Sequence, residues 1–487
     1  MHQRTKRTVT LFTALSATLL SALGTGGTVQ AAQAPQPVPQ SVENAAQFTT
    51  TEGKPLHAHG GGIVKVGRYY YWFGENRNPD NTFRAVSVYR STDLKHWTFR
   101  NHVLTQASHP ELRHANIERP KVIHNKRTGE FVMWMHKENG TDYTEARAAV
   151  ATSTSVDGDY TWKGSFRPEG HMSRDISTFV DTDGTGYMIS AANENADLHV
   201  YRLNDAYTGI QSLTQKLWVG QSREAPAMFK RGGIYFLLTS GATGWAPNQQ
   251  KYATATSITG AWSELRDIGD STTYRSQTAY VIPVQGVKGT GWLYMGDRWG
   301  DSMGGKVNDS QYVWLPLKFP TSTSMTMDYS PRVVIDTARG TVEGIKGTWE
   351  TLSNRNSAKC ADVGNFAMTN AAQLVQWGCG SAINQHFRFR KLPNGNHEIM
   401  ARHSGKCLDI SGASHKDGAL AVQNTCNGKD SQQWKLRPTD DPGYLQIVAR
   451  HSGKCLDVVN QSTTDGTALE QWTCNGGRNQ HWQRTAV

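Results

Sequence analysis

Beyond residue 23 the chain has no apolar run approaching the roughly 20 residues that a membrane span requires, which excludes a helical membrane protein. Charge is scarce as well: Asp, Glu, Lys and Arg make up 19% of the 487 residues, and the formal excess of +10 is scattered. A nucleic-acid-binding surface needs basic residues gathered on one face, and no such block is present. Aspartate is missing before Asp80, and cysteine before Cys360. Glycine (47 residues) and aromatic side chains (15 Trp, 17 Tyr, 14 Phe) are plentiful, a mix that suits an all-β protein with many tight turns and exposed rings.

Arg4, Lys6 and Arg7 precede an uncharged, largely apolar stretch over 9–23, and small residues near 29–34 offer a cleavage site. This is the pattern of a secretory signal peptide. The expected organisation is a signal peptide over 1–31, a Pro-rich linker over 32–46, a repetitive β region over 47–346 and a C-terminal module over 347–487. The mature protein is expected to be a soluble, extracellular monomer.

Within 47–346 one unit recurs: an apolar run, a Gly-containing turn, an aromatic strand, then a small-residue strand with a late Trp. The apolar runs begin near Gly61, Pro120, Thr178, Ala225 and Thr278, and the third copy is the least complete. Repeats of roughly 50 to 60 residues, each with about four short strands, predict a five-bladed β-propeller. An irregular sandwich would not keep the same turn-then-aromatic order five times.

All six cysteines lie in the tail, as Cys360 and Cys379, Cys407 and Cys426, Cys455 and Cys474, each pair 19 positions apart. Even number, regular spacing and a secreted context imply disulfides. Of the roughly fifteen connectivities six cysteines allow, one bridge per repeat needs no further assumption. Each repeat has an Asp two residues after its first Cys (Asp362, Asp409, Asp457) and a Gln six after its second, in Gln385-His386-Phe387, Gln432-Gln433-Trp434 and Gln480-His481-Trp482. Three such repeats resemble the ricin-B-type β-trefoil, carbohydrate-binding module family 13. The resemblance implies a mainly structural Gln-x-Trp triplet, with sugar held by the repeat's Asp, an aromatic ring and a polar pair. The third pocket is then the most complete, with Asp457, Glu470, Trp472, Asn479 and Gln480. The first keeps Asp362, Trp377, Asn384 and Gln385 but has Val375 in place of a polar contact. The second has Asn424 where the ring belongs and Ser431 where Asn belongs, and is expected to be weak or dead.

Four carboxylates stand at predicted strand mouths: Glu75, Glu118, Asp175 and Glu224. The last three each begin a unit's first strand beside an Arg, and in a propeller those strands line one channel. Three carboxylates at one mouth repel one another and raise at least one pKa, which makes a general acid. The competing reading is that each simply pairs with its adjacent Arg. His57 and His59 alternate on one strand without a third ligand in motif spacing, which points to hydrogen bonding or ring packing rather than zinc. His114, His124, His136 and His171 form no ligand pattern either. Neither a metal nor a cofactor is expected.

This region resembles glycoside hydrolase family 43, five-bladed propellers that hydrolyse glycosides with inversion. By blade order the resemblance makes Asp175 the pKa modulator and Glu224 the acid. The base that the family places on the first blade is absent, since that strand reads Leu56-His57-Ala58-His59-Gly60-Gly61-Gly62. Together with 72–76, Glu118-Arg119-Pro120 and Ser276-Gln277-Thr278, this looks like the exo-β-1,3-galactanase branch. There a Gln on the fifth blade, here Gln277, is implied to hold the attacking water, an imidic tautomer being one way to do so; Glu118 is the rival base. Glu75, Glu118, Tyr143, Asn195 and Thr243 would contact the terminal galactose, and Trp245 would stack on it. The expected substrate is β-1,3-galactan, as in the main chain of arabinogalactan. The alternatives are an arabinofuranosidase or xylosidase of the same family, and a polysaccharide-binding lectin that has lost catalysis.

Overall fold

The computed structural model describes residues 38–345, 349–380 and 382–487. The expected signal peptide and the start of the expected linker lie outside them. Strand dominates throughout, and among the described residues the only helices are short 3-10 turns.

Five four-stranded antiparallel sheets follow one another over 59–105, 116–166, 176–217, 223–268 and 277–327. Each is a meander in chain order, as short strands joined by tight turns favour. Their first strands, His59–Val66, Asn116–His124, Ile176–Val180, Arg223–Arg231 and Gln277–Gly286, contact one another in sequence. The fifth also touches the first, so the arrangement is cyclic and propeller-like. The third sheet is complete: Asp197–Leu203 and Ile210–Leu217 form its outer half, although they lack the small-residue run seen in the other units.

Aromatic rings close the cycle. Trp72 of the first sheet packs on Tyr312 of the fifth at 4.8 Å between centroids and on Trp314 at 5.0 Å, with Trp97 and Phe48 around them. Each ring of this size removes on the order of 200 Å² from water, up to about 5 kcal/mol of transfer free energy.

The expected linker over 32–46 needs correction. Gln40–Glu43 is a strand paired with Arg332–Asp336, and Asn44 is buried, donating to Trp314 O at 2.6 Å and Ser330 O at 2.8 Å. The proline series stops at Pro39, which frees the next backbone N–H groups to join a ladder, and Val42 supplies an apolar side chain to bury.

The C-terminal strands form one closed, barrel-like network over three repeats. Cys360–Cys379, Cys407–Cys426 and Cys455–Cys474 are the three disulfides, one in each repeat. Phe387, Trp434 and Trp482 meet in the core. The two Trp residues also donate to Leu408 O and Leu456 O at 3.1 and 3.0 Å, a bond Phe387 does without. Glu43 ties the two regions, receiving Arg332 at 2.6 Å and Arg388 at 3.0 Å.

Candidate active site

The first strands of four sheets carry a β-bulge just where they enter the channel: between His59 and Gly62, Glu118 and Lys121, Glu224 and Ala227, and Thr278 and Tyr280. In three of them the residue after the functional side chain has positive φ: Gly60 (59°), Arg119 (50°) and Ala225 (50°). For Arg119 and Ala225 this conformation costs on the order of 1–3 kcal/mol. A carboxylate of the preceding sheet holds each one: Gly60 N donates to Asp297 at 2.8 Å, Arg119 N to Glu75 at 3.0 Å and Ala225 N to Asp175 at 3.0 Å. Charge-assisted bonds of this kind, about 1.5–3 kcal/mol each, offset the strain. They also fix where His59, Glu118 and Glu224 point.

The glycine run follows from this crowding. A Cβ on Gly60 would stand 2.6 Å from the Glu75 carboxylate, and one on Gly61 1.7 Å from Phe73 O. Beneath them Lys121 donates to Gly60 O at 2.5 Å, and burial lowers its ammonium to about 7.

Glu75, Glu118, Asp175, Glu224, Gln277, Tyr143, Asn195 and Trp245 line one pocket of about 250 Å³, joined by Arg119, His136, Arg174 and Trp299. That is small for a ligand site. Thr243 is not in its wall: it lies on an exposed turn, its hydroxyl donating to Ala246 O at 2.7 Å and accepting from Asn248 at 2.7 Å. It orders the loop that carries Trp245, which packs edge-on against Trp299 at 5.2 Å.

The carboxylates are not in the states adjacency suggested. Arg119 pairs with Asp175 at 2.8 Å, Arg174 with Glu194, and Arg223 with Thr239 at 2.9 Å. None binds its chain neighbour: each guanidinium is taken by a partner elsewhere in the chain. Glu224 is left without a cation in contact and receives Gln277 Nε2 at 2.9 Å and Asn195 Nδ2 at 3.0 Å. Burial, then the Asp175 charge, pushes its carboxyl up to about 8. Burial also raises Glu75, although Arg77 donates to it at 2.8 Å. Each Glu75 oxygen already accepts from the protein, so Glu75 braces the site as well as lining it.

Glu118 goes the other way. Burial opposes its charge, but His136 at 3.2 Å, Arg77 at 3.0 Å and the Tyr143 hydroxyl at 2.7 Å hold its carboxyl well below the usual range. Glu118, His136 and Asp175 converge closely enough to suggest a metal cluster. The guanidinium groups of Arg77 and Arg119 already sit on the two carboxylates.

Gln277 is fully engaged. Its oxygen accepts from Arg119 and from Trp299 Nε1 at 2.8 Å, and its nitrogen donates to Glu224 and to Ser240 at 3.0 Å. Arg and Trp are donors only, so the amide orientation is fixed. A neutral imidic tautomer would need a proton on an oxygen that already accepts twice, so the amide form is the one that fits these contacts.

Sequence reasoning missed Arg77, Arg119, His136, Trp299 and Asp297. His136 stands opposite Glu118 in the ladder, a pairing that two apolar-flanked strands joined by a tight turn imply. Asp297 likewise stands opposite Gln277, and lies 3.2 Å from His59.

In the trefoil, Asp362 is held by Asn384 at 2.7 Å and Gln385 at 3.0 Å, and Asp457 by Asn479 at 2.8 Å and Gln480 at 2.7 Å. Trp377 and Trp472 are 51% and 41% exposed, which leaves their faces free. Glu470 is buried beside Asp457. In the second repeat Asn424 and Gln432 both bond Asp409 Oδ2 at 3.0 Å. Ser431 leaves the other oxygen unpartnered, and there is no ring.

A buried acid with raised pKa, flanked by an Arg-bound carboxylate in a sugar-sized pocket, is glycoside hydrolase chemistry. The chain belongs to glycoside hydrolase family 43: residues 57–282 match "Glycosyl hydrolases family 43", and 341–424, 383–472 and 430–487 match "Ricin-type beta-trefoil lectin domain-like". It is similar to the crystal structure of an exo-β-1,3-galactanase from Clostridium thermocellum, with 50% identity, 92% of this chain and 100% of that one covered, and a TM-score of 0.63. An exo-β-1,3-galactanase from Phanerochaete chrysosporium, solved with β-1,3-galactotriose, shares 27% identity over 92% of this chain and 93% of its own, with a TM-score of 0.62. No curated protein matches.

Proposed function

We propose that the chain is a secreted exo-β-1,3-galactanase that releases galactose, with inversion, from the non-reducing end of β-1,3-galactan such as the arabinogalactan main chain. The observation that carries this reading is the set of side chains lining one pocket, Glu118, Asp175, Glu224 and Gln277, with no aspartate on the first strand. An arabinofuranosidase or xylosidase of the family would have the base there. The five sheets are the blades of one propeller over 47–346, and the trefoil over 347–487 holds the enzyme on the polymer. Three disulfides suit an oxidising, extracellular compartment. The enzyme works as a monomer.

Glu224 protonates the leaving oxygen, and Asp175 keeps that proton on it by charge. When Glu224 turns to the substrate, the Gln277 N–H it vacates is free to hold the attacking water, whose proton passes to bulk solvent as its bond to the anomeric carbon forms and so replaces the proton that Glu224 gives to the leaving oxygen. Glu118, fixed as an anion by two cations and the Tyr143 hydroxyl, grips the sugar and stabilises the oxocarbenium-like charge of the transition state.

Incubation with β-1,3-galactan is expected to release galactose, and binding without hydrolysis would leave only a lectin. Azide is expected to rescue neither Glu118→Ala nor Gln277→Ala; strong rescue of the first alone would make Glu118 the base. In the trefoil, Trp472→Ala is expected to weaken galactan binding about five- to tenfold, the 1 kcal/mol or more that ring stacking supplies. Asn424→Ala should change it by less than twofold, as affinity electrophoresis would read.

A further inference from the structure

Behind Glu118 stands a second carboxylate outside the pocket wall. Glu138 is completely buried, and it receives His136 Nε2 at 2.7 Å on one oxygen and Ala146 N at 2.9 Å on the other. Ala146 has φ 44° and closes the loop carrying Tyr143, whose hydroxyl donates to Glu118. His136 turns its other nitrogen toward Glu118 Oε2, 3.2 Å away as an ion pair without hydrogen-bond alignment. One buried carboxylate thus anchors two of the three groups that pair with or donate to Glu118.

We propose that Glu138 is a positioning residue that holds His136 as a cation against Glu118 and pins the Tyr143 loop, so that Glu118 meets the substrate as an anion. The inference rests on the proposed function only in giving Glu118 work to do there. A neutral imidazole presents one donor nitrogen and one acceptor. Nε2 faces a carboxylate and Nδ1 faces another, so both edges call for N–H and the ring carries the charge. Its pKa is accordingly raised to about 9 against the opposing effect of burial. The remaining groups facing Glu118 are Arg77, with Glu75 behind it, Tyr143, with Arg174 behind it at 5.9 Å from the ring, and Asp175, which is paired with Arg119.

Glu138→Gln separates charge from packing. The amide oxygen must stay on Ala146 N, so the NH₂ turns toward Nε2, and His136 can accept it only by becoming neutral. The shape is kept and the cation is lost. Imidazole NMR is expected to show wild-type His136 doubly protonated to about pH 9, and Glu138→Gln titrating at least one unit lower. The acidic limb of kcat/KM on galactan should move up by about one unit, a roughly tenfold loss on that limb that disappears at higher pH. An unchanged His136 midpoint, or a loss equal at every pH, would overturn the proposal. Should the variant not fold, a wild-type His136 midpoint at or below its ordinary 6.5 overturns it without any substitution. The NMR arm needs no substrate, so its outcome is independent of whether galactan is hydrolysed.

Discussion

Glu224→Gln is expected to lower kcat on β-1,3-galactan by about 10²- to 10⁴-fold, the range that general acid catalysis contributes, while the enzyme folds and still binds galactose. The substitution is nearly isosteric, and its neighbours tolerate it: Gln277 can keep its bond to the amide oxygen, and Asn195 can rotate its own amide to meet the new NH₂. What disappears is the proton. In the wild type that proton is retained at neutral pH because burial and the Asp175 charge lift the carboxyl to about 8, so activity should fall as pH rises through about 8. The acidic limb belongs to Glu118, held ionised far below the usual range, and lies well to the acid side. A pH profile whose alkaline limb lies near 5 would exclude Glu224 as the acid.

The same shift predicts a gain in stability. Glu224 has a folded pKa near 8 against an ordinary 4.5. Below 4.5 both folded and unfolded chains hold the proton, and nothing is lost. Between 4.5 and about 8 the unfolded chain releases it while the folded one keeps it, so the folded state loses about 1.4 kcal/mol of relative stability per pH unit. Glu224→Gln removes this dependence. Its melting temperature should match that of the wild type near pH 4.5 and exceed it by several degrees at pH 8. A gap that stays constant with pH would show that the carboxyl titrates normally.

The fold was legible because its signals are local and repeated. The turn-then-aromatic order marks each sheet, and the Cys, Asp and Gln spacing marks each trefoil repeat. The outer strands of the third sheet were obscure for the converse reason, since the third strand carries His199 and Tyr201 where the second and fourth units have small residues. Glu118, Asp175 and Glu224 were legible as strand-mouth carboxylates that the topology brings together, and Gln277 only through the family resemblance. Their ionisation was not. Whether Arg119 serves Glu118 or Asp175 depends on which way a bulged strand turns one residue, and that is settled by carboxylates some 40 to 240 positions away: Glu75 for Arg119, Asp297 for Gly60. Thr243, two residues from Trp245 in sequence, lies outside the pocket wall that Trp245 joins, because its hydroxyl is used inside its own loop.

Arg119 gives the second large effect, and two substitutions there divide its geometry from its charge. The guanidinium meets Asp175 at 2.8 Å, Thr278 O at 2.9 Å and the Gln277 oxygen at once, with the Trp299 ring 5.8 Å away. A lysine keeps the charge but has a single nitrogen, and it cannot reach all three acceptors in the planar spread that arginine offers. Arg119→Lys should therefore release Gln277 while still neutralising Asp175: kcat falls about 10²-fold, the cost of misplacing a group by about 1 Å, with the alkaline limb near its wild-type position. Arg119→Ala also strips the cation. Asp175 then faces Glu224 uncompensated, so stability should fall by about 3–5 kcal/mol, as when one partner of a buried pair is removed. Because Arg119 holds the Glu224 carboxyl down from where burial and Asp175 would take it, its loss should move the alkaline limb upward. Denaturant melts and pH profiles of the two variants read these effects separately. An alkaline limb that stays fixed in Arg119→Ala, with Asp175 still ionised by carboxyl NMR, would mean that these charges do not reach Glu224, and the electrostatic coupling of the two carboxylates would have to be abandoned.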